Sequence, residues 1–286
     1  MNLEIIIAQI IVLIVMVALF YVTFKKDGNK ITIKDMTIVT LMCVLTAVLN
    51  KTLSIKFPPA QPIFVISFAS SIAITLGILF SPKLALIAGL ITDIVGLLLA
   101  PASGDNSMPF LGFTLTAMLS CYLPSILVRV TKKQKEAVMN LLIVGILLLS
   151  VILAGVYLFS VNTISIDQNQ NDLNNSLRYS IIGVLVLISI AVVALNYFIN
   201  QKIKNDSNMY ITTTQLTLIV LVVEIVCHIV LTTLWINIMY GVPLVVAAST
   251  RIIKGLLMLP LNVMVIYLIL KYIPNQYKRH LIKEEI

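Results

Sequence analysis

Apolar stretches of about twenty residues recur along the whole chain, and they decide what it can become. As a helix, a run of that length crosses the hydrocarbon core of a bilayer. The stretches fall at 3–24, 33–54, 63–80, 83–100, 110–130, 138–160, 178–200, 211–238 and 243–271, which predicts nine helices. Charged residues make up 11% of the 286 and hydrophobic ones 59%, whereas a soluble domain carries about 25% charged residues. With a mean hydropathy of +1.05, this excludes a soluble globular protein, a disordered chain and a coiled coil. The expected fold class is an all-α integral membrane protein. The last two runs exceed a perpendicular span, so tilt is expected. Pro260, which lacks an amide proton, is expected to kink the last helix.

The net charge of +8 could suggest nucleic acid. The cations lie between the apolar runs instead, as membrane topology demands. With the segment after the first helix cytoplasmic, Lys25, Lys26, Lys30, Lys34, Lys83, Arg129, Lys132, Lys133 and Lys135 are inside. Lys202, Lys204, Lys271, Lys278, Arg279 and Lys283 join them, making 15 of the 20 basic residues. The expectation is an outer N-terminus, a cytoplasmic C-terminus and a first helix that is retained, since it lacks signal-peptide features. Cys43, Cys121 and Cys227 lie singly within apolar runs, without disulfide or zinc spacing.

The five remaining cations carry more information. Arg178 begins a helix after a polar loop. Lys51, Lys56, Arg251 and Lys254 lie at the outer end or in the outer half of their spans, against Asp93 and Glu224 in the membrane and Asp105 in an outer loop. Such an outward half suits an anionic solute, although lysines that snorkel to the headgroups give the same pattern for Lys51 and Lys56. A charge in the bilayer costs roughly 2.5–3.5 kcal/mol, so it pairs or lines a polar site. At 1.5 Å per residue Arg251 lies ~12 Å and Lys254 ~16 Å below the start of the last helix, with Asp93 ~10 Å deep, so an Asp93–Arg251 pair is open by depth. Arg251 and Lys254, three apart on one face, can hold a carboxylate or phosphate, one as a fork and one as a point charge. Glu224 and His228, four apart, read as a buried hydrogen-bonded pair. Trp235, the sole tryptophan, is either an interfacial anchor or a platform for a planar ring. Small residues at Ala85, Gly89 and Gly96, and at Cys43 and Ala47, allow close helix approach within the protein or to a partner.

The chain contains no GxxxxGK[ST], HExxH or GxSxG motif. No catalytic residue, metal site or cofactor is therefore expected. Uphill transport would need an ion gradient or a partner's energy.

Leu79-Phe80-Ser81-Pro82, followed by Gly89, Thr92-Asp93, Gly96 and Ala100-Pro101, resembles the central signature of substrate-binding (S) components of energy-coupling factor (ECF) transporters. The stretch Pro109-Phe110-Leu111-Gly112-Phe113-Thr114-Leu115 resembles the loop and helix start that follow. Thr233-Leu234-Trp235-Ile236-Asn237, Tyr240-Gly241, Arg251-Ile252-Ile253-Lys254 and Pro260 resemble the folate branch.

The resemblance implies a six-helix core in a bacterial cell membrane that binds a vitamin, folate in this branch, from outside. It implies as partners a transmembrane coupling subunit and two cytosolic ATPase subunits. Lys56, Gln61, Trp235, Asn237, Arg251 and Lys254 are the substrate-binding residues it points to. Asp93, Gly89 and Gly96 have structural or coupling roles, and Cys43 and Ala47 stand where the family's small residues dock the coupling subunit, Cys43 replacing the usual alanine. The expected organisation is an extra helix and linker at 1–32, core helices 1–4 at 33–130, an inserted pair at 131–210, and core helices 5–6 with a basic tail at 211–286. Two alternatives stand beside folate uptake: another vitamin such as riboflavin, or a proton-coupled secondary transporter using Asp93 and Glu224. The second predicts internal symmetry between the halves, which the sequence lacks.

Overall fold

The computed structural model describes residues 3–26, 31–52, 55–57, 64–66, 68–99, 110–160, 163–166, 169–172, 175–203 and 211–273. Gln61, Asp105, the Ala100-Pro101 pair and the basic tail lie outside them. The helices are α1 (Leu3–Lys26), α2 (Ile33–Thr52), α3 (Ala69–Leu79), α4 (Pro82–Leu99), α5 (Leu111–Thr131), α6 (Glu136–Ser160), α7 (Asn175–Ile203), α8 (Thr213–Val223), α9 (Thr232–Tyr240) and α10 (Leu244–Tyr272). A π-helical segment, Glu224–Leu231, joins α8 to α9, so these form one rod and nine rods result among the described residues. Seven of the rods are long and apolar enough to cross a bilayer.

The expected third span, 63–80, is corrected. Only Ala69–Leu79 is helical, 11 residues long, or about 16 Å against a core of about 30 Å. Upstream, β1 (Ile55–Phe57) pairs antiparallel with β2 (Phe64–Ile66), with Lys56 opposite Val65. Phe64, Val65 and Ile66 are apolar enough to extend a hydropathy run, but aromatic and β-branched residues suit a strand. The sequence between the strands carries Pro58, Pro59 and Pro62, residues that disfavour a continuous helix. A second hairpin pairs β3 (Thr163–Ile166) with β4 (Asn169–Asp172) between α6 and α7.

Between helices in lipid, close packing and polar contacts do the work that the hydrophobic effect does in water. A Cβ at Gly89 would strike the backbone of Ala117 and Met118, and one at Gly77 would strike the Cys121 carbonyl and Pro124. Glycine there lets α4 and α3 lie directly on α5. Cys43, fully buried, donates its thiol to the Ala88 carbonyl at 3.4 Å and seats α2 on α4. Thr212 and Gln215 form a reciprocal capping box at the start of α8. Gln215 Nε2 then donates to the Thr131 carbonyl at 3.3 Å, tying α8 to the end of α5.

Three rods are peripheral. Of the spanning windows of α1, α6 and α7, 11%, 22% and 18% is buried, against 33% to 56% for α4, α5, α8–α9 and α10. α1 packs on α4, α5 and α9, while α6 and α7 pack on α8 and α10. These are the helices the sequence set apart from a six-helix core. Because successive rods run antiparallel, both hairpins and the α9–α10 turn lie at one end of the bundle. Lys83, Arg129, Lys132, Lys133 and Lys135 lie at the other, where Lys83 Nζ stands 5.6 Å over the Phe24 ring.

Candidate functional site

The π segment and α10 bring most of the intramembrane charge into one cluster. The wider i→i+5 turn is visible at its end, where the Thr232 amide donates to the Cys227 carbonyl and Thr232 Oγ1 donates to the same oxygen at 2.7 Å. Glu224 opens the segment and is 7% exposed. His228 follows four residues later, just short of one such turn.

Glu224 is anchored from one side. Asn262 on α10, fully buried, donates Nδ2 to Glu224 Oε1 at 3.0 Å. The Asn262 Oδ1 accepts from Ser71 Oγ at 2.8 Å and Ser70 Oγ at 3.4 Å, so α3 holds the amide that holds the carboxylate. Below it, a Cβ at Gly255 would lie 3.8 Å from Glu224 Oε2, which shows how close α10 passes.

Arg251 Nη1 donates to the His228 carbonyl at 3.5 Å. Arg251 and Lys254 are half-buried, and both lie within electrostatic reach of Glu224 and His228. The cluster thus holds one carboxylate against two cations. The His228 Nε2 is buried and has no hydrogen-bond partner among the described residues. Such a net cationic, partly satisfied centre can hold an anionic group. β2 packs against α10, so the first hairpin lies on the helix that carries both cations.

The other sequence candidates are placed apart. Trp235 is 9% exposed and donates Nε1 to Thr116 Oγ1 at 3.0 Å. The Phe110 ring meets it edge-on at 5.8 Å, and Gly112 leaves the space its indole fills. The Asn237 Nδ2 donates to the Val242 carbonyl at 2.8 Å. That bond and Gly241, at φ 65°, close the α9–α10 turn and set where α10 begins. Lys56 sits on β1 with its side chain outside the described residues. Asp93 accepts from Thr114 Oγ1 at 2.7 Å. The Asp93–Arg251 pair left open by depth does not form, because α5 supplies the partner for Asp93 and the His228 carbonyl that for Arg251.

Gly89 serves close packing, whereas a Cβ at Gly96 would meet nothing within 4 Å. Cys43 and Ala47 are 0% and 2% exposed within the chain, so this pair packs α2 internally. The face α2 turns outward carries Met36, Leu41, Val44 and Val48 instead. Sequence reasoning missed Asn262 and Ser71. A lone amide two residues past a proline in an apolar helix was the available signal.

These features define a multi-pass helical membrane protein whose bundle encloses a polar, net cationic centre. The family model for "ECF transporter, substrate-specific component" matches residues 34–200, and the chain belongs to that family. The match runs from α2 through α7, so it includes the pair that the sequence reading treated as inserted. No curated protein matches the chain. The solved structure of FolT bound with folic acid is 18% identical, with a TM-score of 0.48, covering 85% of this chain and 96% of that one. That likeness is too distant to speak to what this chain binds.

Proposed function

We propose that the chain is the subunit that captures a folate-type vitamin on the outer side of a bacterial membrane. Its importer is completed by a transmembrane coupling subunit and two cytosolic ATPases. The observation that carries this reading is the surplus cation of the Arg251–Lys254–Glu224 cluster inside the bundle of a substrate-specific ECF component. Folates end in glutamate carboxylates, which an Arg fork and a Lys point charge suit. The folate-branch resemblance of the segment from Thr233 to Lys254 supports the same choice.

In this reading Arg251 and Lys254 hold the carboxylates, and Lys56 and Gln61 are the further contacts that the family resemblance points to. Trp235 and Asn237 shape the wall beside the α9–α10 turn. The hairpins face outside and the Lys-rich end faces the cytoplasm, in accord with the bias of basic residues. ATP hydrolysis falls to the partners, since the chain has no P-loop.

Calorimetry of the detergent-purified chain with folic acid tests the proposal. Saturable binding is expected, and Arg251→Ala should weaken it by at least about 1.5 kcal/mol, the scale of a charge-assisted hydrogen bond. Absence of binding by folded wild-type protein would remove folate as the ligand. Reconstituted alone, the chain should bind without accumulating the vitamin. Gradient-driven uptake by the purified chain would instead establish the secondary transporter.

A further inference from the structure

A second convergence of charge lies at the lysine-rich end of the bundle, on different helices from the Glu224 cluster. There α1 ends against the start of α4 and the end of α5. Tyr21, Phe24 and Lys25 are three and four residues apart, so they share one face of the last turns of α1. Lys25 Nζ stands 5.8 Å over the Tyr21 ring, and from α4 Lys83 Nζ reaches 5.6 Å over the Phe24 ring. Both distances fall within the reach of a cation–π attraction. Ammonium groups from two helices therefore meet the rings of one face. That face is open, with Tyr21 67% and Phe24 47% exposed. On the opposite side a 3.1 Å hydrogen bond joins Thr23 Oγ1 to the Tyr122 hydroxyl of α5.

The surroundings are cationic. The start of α4 and the α5–α6 turn carry Lys83, Arg129, Lys132, Lys133 and Lys135 against Glu136, and the end of α1 adds Lys25 and Lys26 against Asp27. An ammonium has three N–H donors, so a phosphate can share it with other acceptors. A phosphate that bridges two ammonium groups from different helices also offsets their mutual repulsion and ties the helices together. α1 has need of such a tie, because only 11% of its spanning window is buried.

We propose that Lys25 and Lys83, with the Tyr21 and Phe24 rings, seat the headgroup of an anionic phospholipid that clamps the end of α1 to α4. A lipid matches both chemistries present. Its phosphate suits the ammonium groups, and its acyl chains suit the exposed rings and Val22 beside them, as aromatic residues suit a membrane interface. An acidic soluble protein would match the charge alone.

Native mass spectrometry of the full chain in detergent, titrated with phosphatidylglycerol or phosphatidylcholine, tests the proposal. Wild type should bind phosphatidylglycerol more tightly. Lys25→Gln/Lys83→Gln should weaken that binding on the order of 10- to 30-fold, the contribution of two basic residues near an anionic surface. Lys133→Gln/Lys135→Gln removes the same charge from exposed positions on the α5–α6 turn and should leave the binding nearly unchanged. Thermal unfolding without lipid establishes that each variant folds. If the first pair does not fold, Lys25→Gln alone, at an exposed position, should weaken binding on the order of 5-fold. Equal affinity of wild type for the two lipids would overturn the proposal. So would an equal loss in both double variants, the mark of a diffuse surface potential. Competition by glycerol 3-phosphate at the concentration of the lipid would overturn the lipid assignment in favour of a soluble anion.

Discussion

Single residues in this bundle act through backbone approach and through polar partners. Gly89 rests on the Ala117–Met118 backbone, while Gly96 faces open space. Gly89→Leu should therefore lower stability by about 1–3 kcal/mol, the cost of overpacking, and Gly96→Ala should be close to neutral. Thermal unfolding of the two variants in one detergent checks the contrast. Trp235 offers a second residue-scale test, because it is the sole tryptophan and its indole is buried against Phe110 and Thr116. Its emission should be blue-shifted in the folded protein. Thr116→Val should cost about 1 kcal/mol through the lost hydrogen bond, measured as a lower midpoint of unfolding. At Asn262 the stakes are higher, since Asn262→Leu leaves a buried carboxylate without its amide. A loss of about 1–3 kcal/mol is expected, again from thermal unfolding.

Among the elements, the π segment sets the geometry of the site. Eight residues in the wider turn displace Glu224 and His228 from the positions an unbroken α-helix would give them. Thr232 stabilises the register by placing its amide and its hydroxyl on the Cys227 carbonyl. Replacing Thr232 with Val removes the hydroxyl bond, and about 1 kcal/mol of stability with it; a chemical denaturation midpoint measures the change. Hydropathy read this rod as one span, 211–238, and its extent agrees with Thr213–Tyr240. The π turn inside it was not legible, because a one-residue change in hydrogen-bond register leaves an all-apolar face apolar. The first hairpin was misread for a related reason. Phe64, Val65 and Ile66 are hydrophobic whichever secondary structure they adopt, and only pairing with β1 distinguishes strand from helix.

At the scale of the whole molecule, α1 lies on one flank and α6 and α7 on another, around the more buried rods. Removing residues 1–32 should leave a monodisperse, folded protein in detergent, since lipid or detergent can replace so thinly packed a helix; gel filtration and circular dichroism check this. The sequence by itself determined the number of rods, their order and their alternating direction. A helix satisfies every backbone polar group of an apolar run within lipid, and the lysines mark the ends of these runs. It also brought Arg251, Lys254, Glu224 and His228 forward, because charge in a membrane is costly enough to stand out against apolar neighbours. Only the tertiary structure decided which partners those charges take. Asp93 went to Thr114 and Glu224 to Asn262, while Trp235 turned into the α5 contact. Depth along a helix is linear in residue number, but partnership depends on rotation and on which rods are neighbours. Those are set by close contacts such as Gly89 on α5 and Cys43 on α4, which hydropathy does not record.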